Sequence, residues 1–224
     1  GEFVLYLGGE SNSENFLPLS TNANMLIVRQ TYKNRISQTH AKINIKTRST
    51  NATPELLTSA KLETSLNQSL AFIRGTASTF LNWVHEFKEN HRNQLPLGDQ
   101  AFFQAAGGDP KICYLHGYYE FDEDEFMEIT TNIPDCEYWN FQLENYWMES
   151  LDYRHYPIHI NNDSAVISDD KIITIIVTHE PMNYPNNLIT EGRNNGAMLL
   201  RWIGAKENII PKVQIKKIES LETN

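Results

Sequence analysis

The chain has 224 residues, 40% of them hydrophobic and 21% charged, with a formal net charge of −9. This is ordinary globular composition, long enough to enclose a sizeable core, and its acidity excludes the electrostatic footprint of a nucleic-acid binder. No run approaches the ~18 apolar residues of a membrane span, and the opening GEFVLYLGGE lacks the basic region and long apolar core of a signal peptide.

The sequence begins as though already inside a strand, at residues 3–7, and so predicts further chain upstream. Residues 25–32, MLIVRQTY, and the alternating residues 41–47 are expected as a pair of strands. The locally basic KINIKTR, 42–48, reads as the solvent face of the second. Thr53-Pro54-Glu55 is a helix start, with an N-cap hydroxyl, a proline at the first helical position and an acid near the positive dipole end. Leu56, Leu57, Ala60, Leu66, Leu70 and Ile73 follow at mostly helical spacing, Gly75 interrupts, and Phe80, Trp83, Val84 and Phe87 resume the spacing. The expectation is a helical hairpin over 54–90.

From 111 the pattern is β. Segments 112–121 and 125–131 flank the acidic turn DEDE, 138–143 alternates as a half-buried strand should, and 164–167 with 172–178 read as a hairpin around Asp169-Asp170. A polar loop leads to a last strand at 197–203, and 213–218 fits an edge strand. The fold class is α+β, mainly β: one domain built as an antiparallel β-sandwich or jelly roll with an inserted helical hairpin. The two cysteines, Cys113 and Cys136, match no CxxC or zinc spacing; they read as buried free thiols, or as a disulfide in an oxidising compartment.

Several motifs carry a resemblance: GGDP at 107–110, YYEF at 118–121, CEYWNFQLENYWMESLDYR at 136–154, INND at 160–163, THEP at 178–181 and GAMLLRW at 196–202. Together with ENFLPL (14–19) and LIVRQTY (26–32), they resemble the family called domain of unknown function 1214, over nearly the whole chain. The resemblance implies a jelly-roll-like β domain and no established reaction. The loop after His179 departs from the family, with Asn187 where tryptophan is usual, which implies a lost or relocated aromatic contact.

The densest chemistry lies in 138–163. Alternation puts Asn140, Gln142 and Glu144 on one strand face beside Trp139, Tyr146 and Trp147. Apolar walls with a few convergent polar groups describe small-molecule pockets. A polar network is the alternative, with Glu149 or Asp152 paired to a buried Arg154. His155 and His159 would share a face of an extended segment, and with Asp152, Glu149 or His179 they are weak candidates for a cupin-like metal site. His116, Tyr118 and Glu120 share one strand face, suited either to acid–base work or to solvent. Arg193 could clamp an anion or bond its own loop. No GxSxG, Walker, Rossmann or HExxH motif occurs.

The residues therefore predict a β domain binding a polar-aromatic or carbohydrate-like small molecule, with Trp139, Gln142, Asn145, Trp147, Glu149, Arg154, His179 and Arg193 at the ligand. The alternatives are a lyase or hydrolase drawing a carboxylate–histidine pair from Glu149 and His179 beside Arg154, and a structural or interaction module. No cofactor, nucleic acid or membrane span is implied, and the sequence indicates neither compartment nor oligomeric state.

Overall fold

The computed structural model describes residues 1–8, 14–23, 26–46 and 56–222. The chain divides into two compact units, 1–43 and 44–224. In the first unit, β1 (Tyr6–Leu7) and β2 (Phe16–Leu17) pair in parallel. The strands expected at 25–32 and 41–47 are not formed among the described residues. Side chains take the backbone donors a ladder would have used: Gln30 Oε1 accepts from the Ala41 amide at 2.9 Å, and Gln38 Oε1 from the Lys33 amide at 2.8 Å. Asn34 Oδ1 accepts from the amides of Ile36 and Ser37, an Asx-type turn between the two segments.

In the second unit, α1 (Ser59–Asn90) is one helix of 32 residues, not a hairpin. The predicted start at Thr53-Pro54-Glu55 lies outside the described residues; Thr58 caps the helix, its hydroxyl accepting from the Lys61 amide at 3.3 Å. Gly75 does not break it. A mid-helix glycine costs only about 1 kcal/mol against alanine, and no proline follows to remove a donor. The short α2 (Gln100–Ala105) is capped by Asp99.

Eight strands then build two four-stranded sheets. The first has the order β3 (Ile112–Glu120), β9 (Asn195–Ile203), β5 (Tyr138–Leu143), β6 (His159–Asn161), all antiparallel. The second has the order β10 (Lys212–Lys217), β4 (Glu125–Asn132), β7 (Ile172–Thr178), β8 (Asn187–Ile189), with β7 and β8 parallel. Inward residues from both sheets meet in one core: Leu115, Phe141, Met198, Leu200 and Trp202 from the first, with Met127, Ile129, Ile173, Ile175 and Val177 from the second. This is a β-sandwich in a mainly β, α+β protein, as the alternation predicts. Outside the first sheet, Val84 and Phe87 of α1 and Phe103 of α2 cover Tyr118 and Ala197.

Two strand connections differ from expectation. Segments 112–121 and 125–131 are not a hairpin, because β3 and β4 belong to different sheets and the acidic turn is the corner between them. Residues 164–167 form no strand; the Asn186 side chain holds Val166 from both sides, accepting from its amide at 2.8 Å and donating to its carbonyl at 2.7 Å. The edge strand at 213–218 exists as β10. Cys113 and Cys136 are free thiols, and burial pushes Cys113 up to about 11.

The free edge of β3 is closed by the segment after α1. The Asn93 side-chain amide donates to the Glu120 carbonyl at 2.8 Å and accepts from the Glu120 amide at 2.9 Å. The chain lies so close here that a Cβ on Gly117 would sit 1.9 Å from the Gln94 carbonyl oxygen. Backbone cannot yield as a side chain can, so Gly117→Ala should cost about 3 kcal/mol or more by urea unfolding, whereas Gly75→Ala, in mid-helix with open space around the added Cβ, should cost nothing. Equal losses in the two variants would contradict this reading of the edge.

Candidate functional site

The outer face of the first sheet is polar where it might have been covered. Strand register sets its rows: Tyr114, Arg201, Asn140 and Asn161 stand side by side, then His116, Leu199, Gln142 and His159. Tyr118 and Ala197 begin a third row, which Glu144 joins through its amide on the Ala197 carbonyl at 2.8 Å. Each of these residues is two positions from the next on its own strand, so period-two alternation alone brings them to one surface.

Arg201 anchors the face. One guanidinium nitrogen donates to Gln142 Oε1 at 3.2 Å and, longer, to Asn140 Oδ1 at 3.5 Å. Burial pulls its pKa down against the opposing pull of Glu144, though an arginine stays charged. Gln142 passes the chain on, donating from Nε2 to Glu144 Oε1 at 2.5 Å. Glu144 is 4% exposed, and burial raises its pKa despite Arg201 and Gln142. Its second oxygen, Oε2, is buried without a hydrogen-bond partner.

Beside this chain lies His116, 5% exposed and stacked between Phe87 (4.9 Å between centroids) and Tyr114 (6.1 Å), both rings 10° from parallel to it. Its Nδ1 is buried and unpartnered. Burial, reinforced by the Arg201 and His91 charges, lowers its pKa to about 3, so the ring is neutral. Asn140, Gln142 and Arg201 are half-buried and His159 is exposed, so this part of the face meets solvent.

Of the residues predicted at the ligand, Gln142 belongs to this cluster; Asn140 and Glu144, expected on its strand face, and His116, expected as an acid–base candidate, join it, as does His159 by position. Trp139 points inward against Trp202, 6.1 Å between ring centroids. Asn145 organises its own loop, its Oδ1 accepting from the amides of Trp147 and Glu149 and its Nδ2 donating to Glu149 Oε2 at 2.7 Å. Trp147 is exposed. Arg154 is not buried and does not pair with Glu149; it is 69% exposed and pairs with Asp152 at 2.9 Å. Replacing Glu149 therefore unpairs no buried arginine.

His179 and Glu149 do not form a pair either. His179 is bonded through Nδ1 to Thr190 Oγ1 at 2.9 Å and through Nε2 to the Asp122 carbonyl at 3.0 Å, and stacks on Phe121, 4.5 Å between centroids. It fastens the corner between β3 and β4. Arg193 bonds its own loop, through Glu191 and the Thr190 carbonyl. Asn187 spans its loop, accepting from Met182 and donating to the Ile176 carbonyl and Thr178 Oγ1. His155 and His159 are both exposed, and no group of three or more metal-binding side chains occurs among the described residues.

Sequence reasoning missed Arg201. Its signal is a lone arginine in the apolar strand GAMLLRWI, where alternation would give every second position to one face.

No family model matches the chain, and no curated protein matches it. Among solved structures, an uncharacterised protein from Burkholderia cenocepacia is 35% identical with a TM-score of 0.89. The alignment covers 96% of this chain and 59% of that one, so the chain spans about three fifths of the relative's length. The VPA0106 protein from Vibrio parahaemolyticus is 13% identical, with a TM-score of 0.43, over 73% of this chain and 47% of that one. The Burkholderia structure shares the β-sandwich fold described above.

His116 should leave a mark on acid stability. Its folded pKa of about 3 lies below the ordinary histidine value, so the unfolded chain binds the extra proton. That stability is present above pH ~6.5 and drains away as pH falls toward 3. By pH 4 the wild type should have lost about 3 kcal/mol that His116→Phe keeps, read from urea midpoints across pH. Parallel pH profiles would show that the ring is solvated.

Proposed function

We propose that this is a small-molecule binding β domain whose ligand is an organic anion held on the outer face of the first sheet. One observation carries the reading: Arg201 is half-buried, charged and, among the described residues, bonded only to neutral amide oxygens, through one of its three nitrogens. A planar guanidinium fork of this kind matches a carboxylate or phosphate with two parallel bonds. Asn140, Gln142 and His159 beside it offer amide and imidazole groups to ligand hydroxyls, and Tyr114 offers apolar contact. The reading keeps the polar-aromatic ligand class expected from sequence and moves the site from the loop at 144–154 to the strand face. Membership of the domain of unknown function 1214 family belongs to the same proposal, on the motifs at 107–110, 136–154 and 196–202.

A second reading, a lyase or hydrolase, draws support from Glu144 alone. A carboxyl whose pKa burial raises is better suited to proton donation than a solvated one. Its partner would be His116, not the His179 expected from sequence.

Titration calorimetry with benzoate and benzamide separates charge recognition from ring contact. Benzoate should bind, benzamide should bind at least tenfold more weakly, and Arg201→Gln should abolish the difference, about 1.4 kcal/mol or more. Near-ultraviolet dichroism checks that the variant is folded. Equal binding of both compounds, or binding unaffected by Arg201→Gln, would defeat the proposal.

A further inference from the structure

Helix α1 carries a stripe that its own unit covers only at one end. Leu66, Leu70, Ile73, Ala77, Phe80, Val84 and Phe87 recur at alternating spacings of four and three, the repeat that places residues on one seam. The last two are buried on the first sheet, at 0% and 3% exposure. The same seam then runs out into solvent: Leu66 is 61% exposed, Leu70 45%, Ile73 63% and Phe80 40%. Leu62 and Phe72 flank it, also exposed.

The rest of the helix surface does not look like a solvated face. Between residues 64 and 84 the only charged side chain is Arg74; off the seam, apart from Phe72, Leu81 and Trp83, the others are serine, threonine, asparagine, glutamine or small. Selection for one particular foreign partner commonly uses charged residues flanking the seam, and here those positions are almost neutral. Two identical copies of this surface meet without like-charge repulsion. A groove of about 370 Å³ lies beside the seam, between Phe72, Thr76, Phe80 and Trp83 and the chain at Ala106, and can receive a partner's side chains.

The area also fits. Six half-exposed apolar side chains offer roughly 500–700 Å², near the ~800 Å² that each partner contributes to a standard stable interface. The free part of the helix, at ~1.5 Å per residue, is roughly 30 Å long, enough for three heptads. Small residues at Ala71, Gly75, Ala77 and Ser78 permit close approach near its middle.

We propose that α1 is a dimerisation element: its seam from Leu66 to Phe80 packs against the same seam of a second copy of this chain. An antiparallel arrangement keeps the two β-sandwiches at opposite ends of the helix pair and satisfies two-fold symmetry. The proposal is independent of the ligand site.

Sedimentation equilibrium on the 224-residue chain between 1 and 100 μM tests it. The expected mass is twice 25.8 kDa, falling twofold to the single-chain value in Leu66→Glu/Ile73→Glu, with Gln68→Glu on the far side of the helix unchanged. Should the double variant misfold by circular dichroism, Ile73→Ala, a better helix former, is expected to raise the dimer Kd at least tenfold while folded. A wild-type chain that stays monomeric would overturn the proposal and assign the seam to another segment or partner. A dimer whose Kd is unmoved in the folded variants would overturn it equally, since the interface would then lie elsewhere.

Discussion

The alternation of β9 is the constraint on which the larger unit depends. This strand pairs with β3 on one side and β5 on the other, so it is the only element that joins the two halves of the first sheet. Met198, Leu200 and Trp202 point into the core; Ala197, Leu199 and Arg201 point out. A slip of one residue would send a guanidinium into the sandwich and a tryptophan into solvent, a cost far above the free energy that separates folded from unfolded chain. The register that packs the core is therefore the register that presents Arg201 beside Gln142. Fold and site are fixed by one choice. Gly196, at the start of the same strand, shows how tight that choice is: a Cβ there would lie 2.3 Å from the Glu144 carbonyl oxygen.

Buried polar groups on that face carry a standing cost. Glu144 keeps one oxygen unbonded and His116 keeps one nitrogen unbonded, each in a position where an apolar residue would pack without penalty. The inner core holds a single comparable lapse, the indole nitrogen of Trp139. Unsatisfied groups gathered on one face, next to a half-buried cation, are the pattern of a surface shaped for something other than stability.

Much of this architecture is legible in sequence, and its limits have physical causes. Period-two segments announce β3, β5, β7, β9 and β10, because alternation is a local property of each strand. Partner choice is not local: 112–121 and 125–131 read as a hairpin, yet the acidic corner sends them to different sheets. Gly75 reads as a break because propensity is all a sequence displays there, while continuation of the helix depends on its neighbours. Among the described residues, 26–32 and 41–46 have strand composition without a strand beside them to bond. The site followed the same logic. Trp139 and His179 have functional-looking chemistry but are spent on the core and on a corner, and Arg154 is solvated. Gln142 was found because its own strand placed it; Arg201 was missed because its meaning lies in the strands on either side.

The pairing of β3 with β9 has a consequence for how the protein is made. Ile112 finds its ladder partner in Ile203, and Glu120 in Asn195. Emerging from the ribosome, β3 must wait for most of the remaining chain before its main neighbour exists. Through that interval its apolar inner face has no sandwich to enter, and the hydrogen-bonding edge later taken by β9 stands open. Long-range pairing of this kind slows folding and leaves the nascent chain exposed to association with others. The segment behind α1, already synthesised, is in place to occupy the opposite edge, His91 and Asn93 through their backbone and Asn93 through its side-chain amide, so it shields the growing chain before it serves the finished fold.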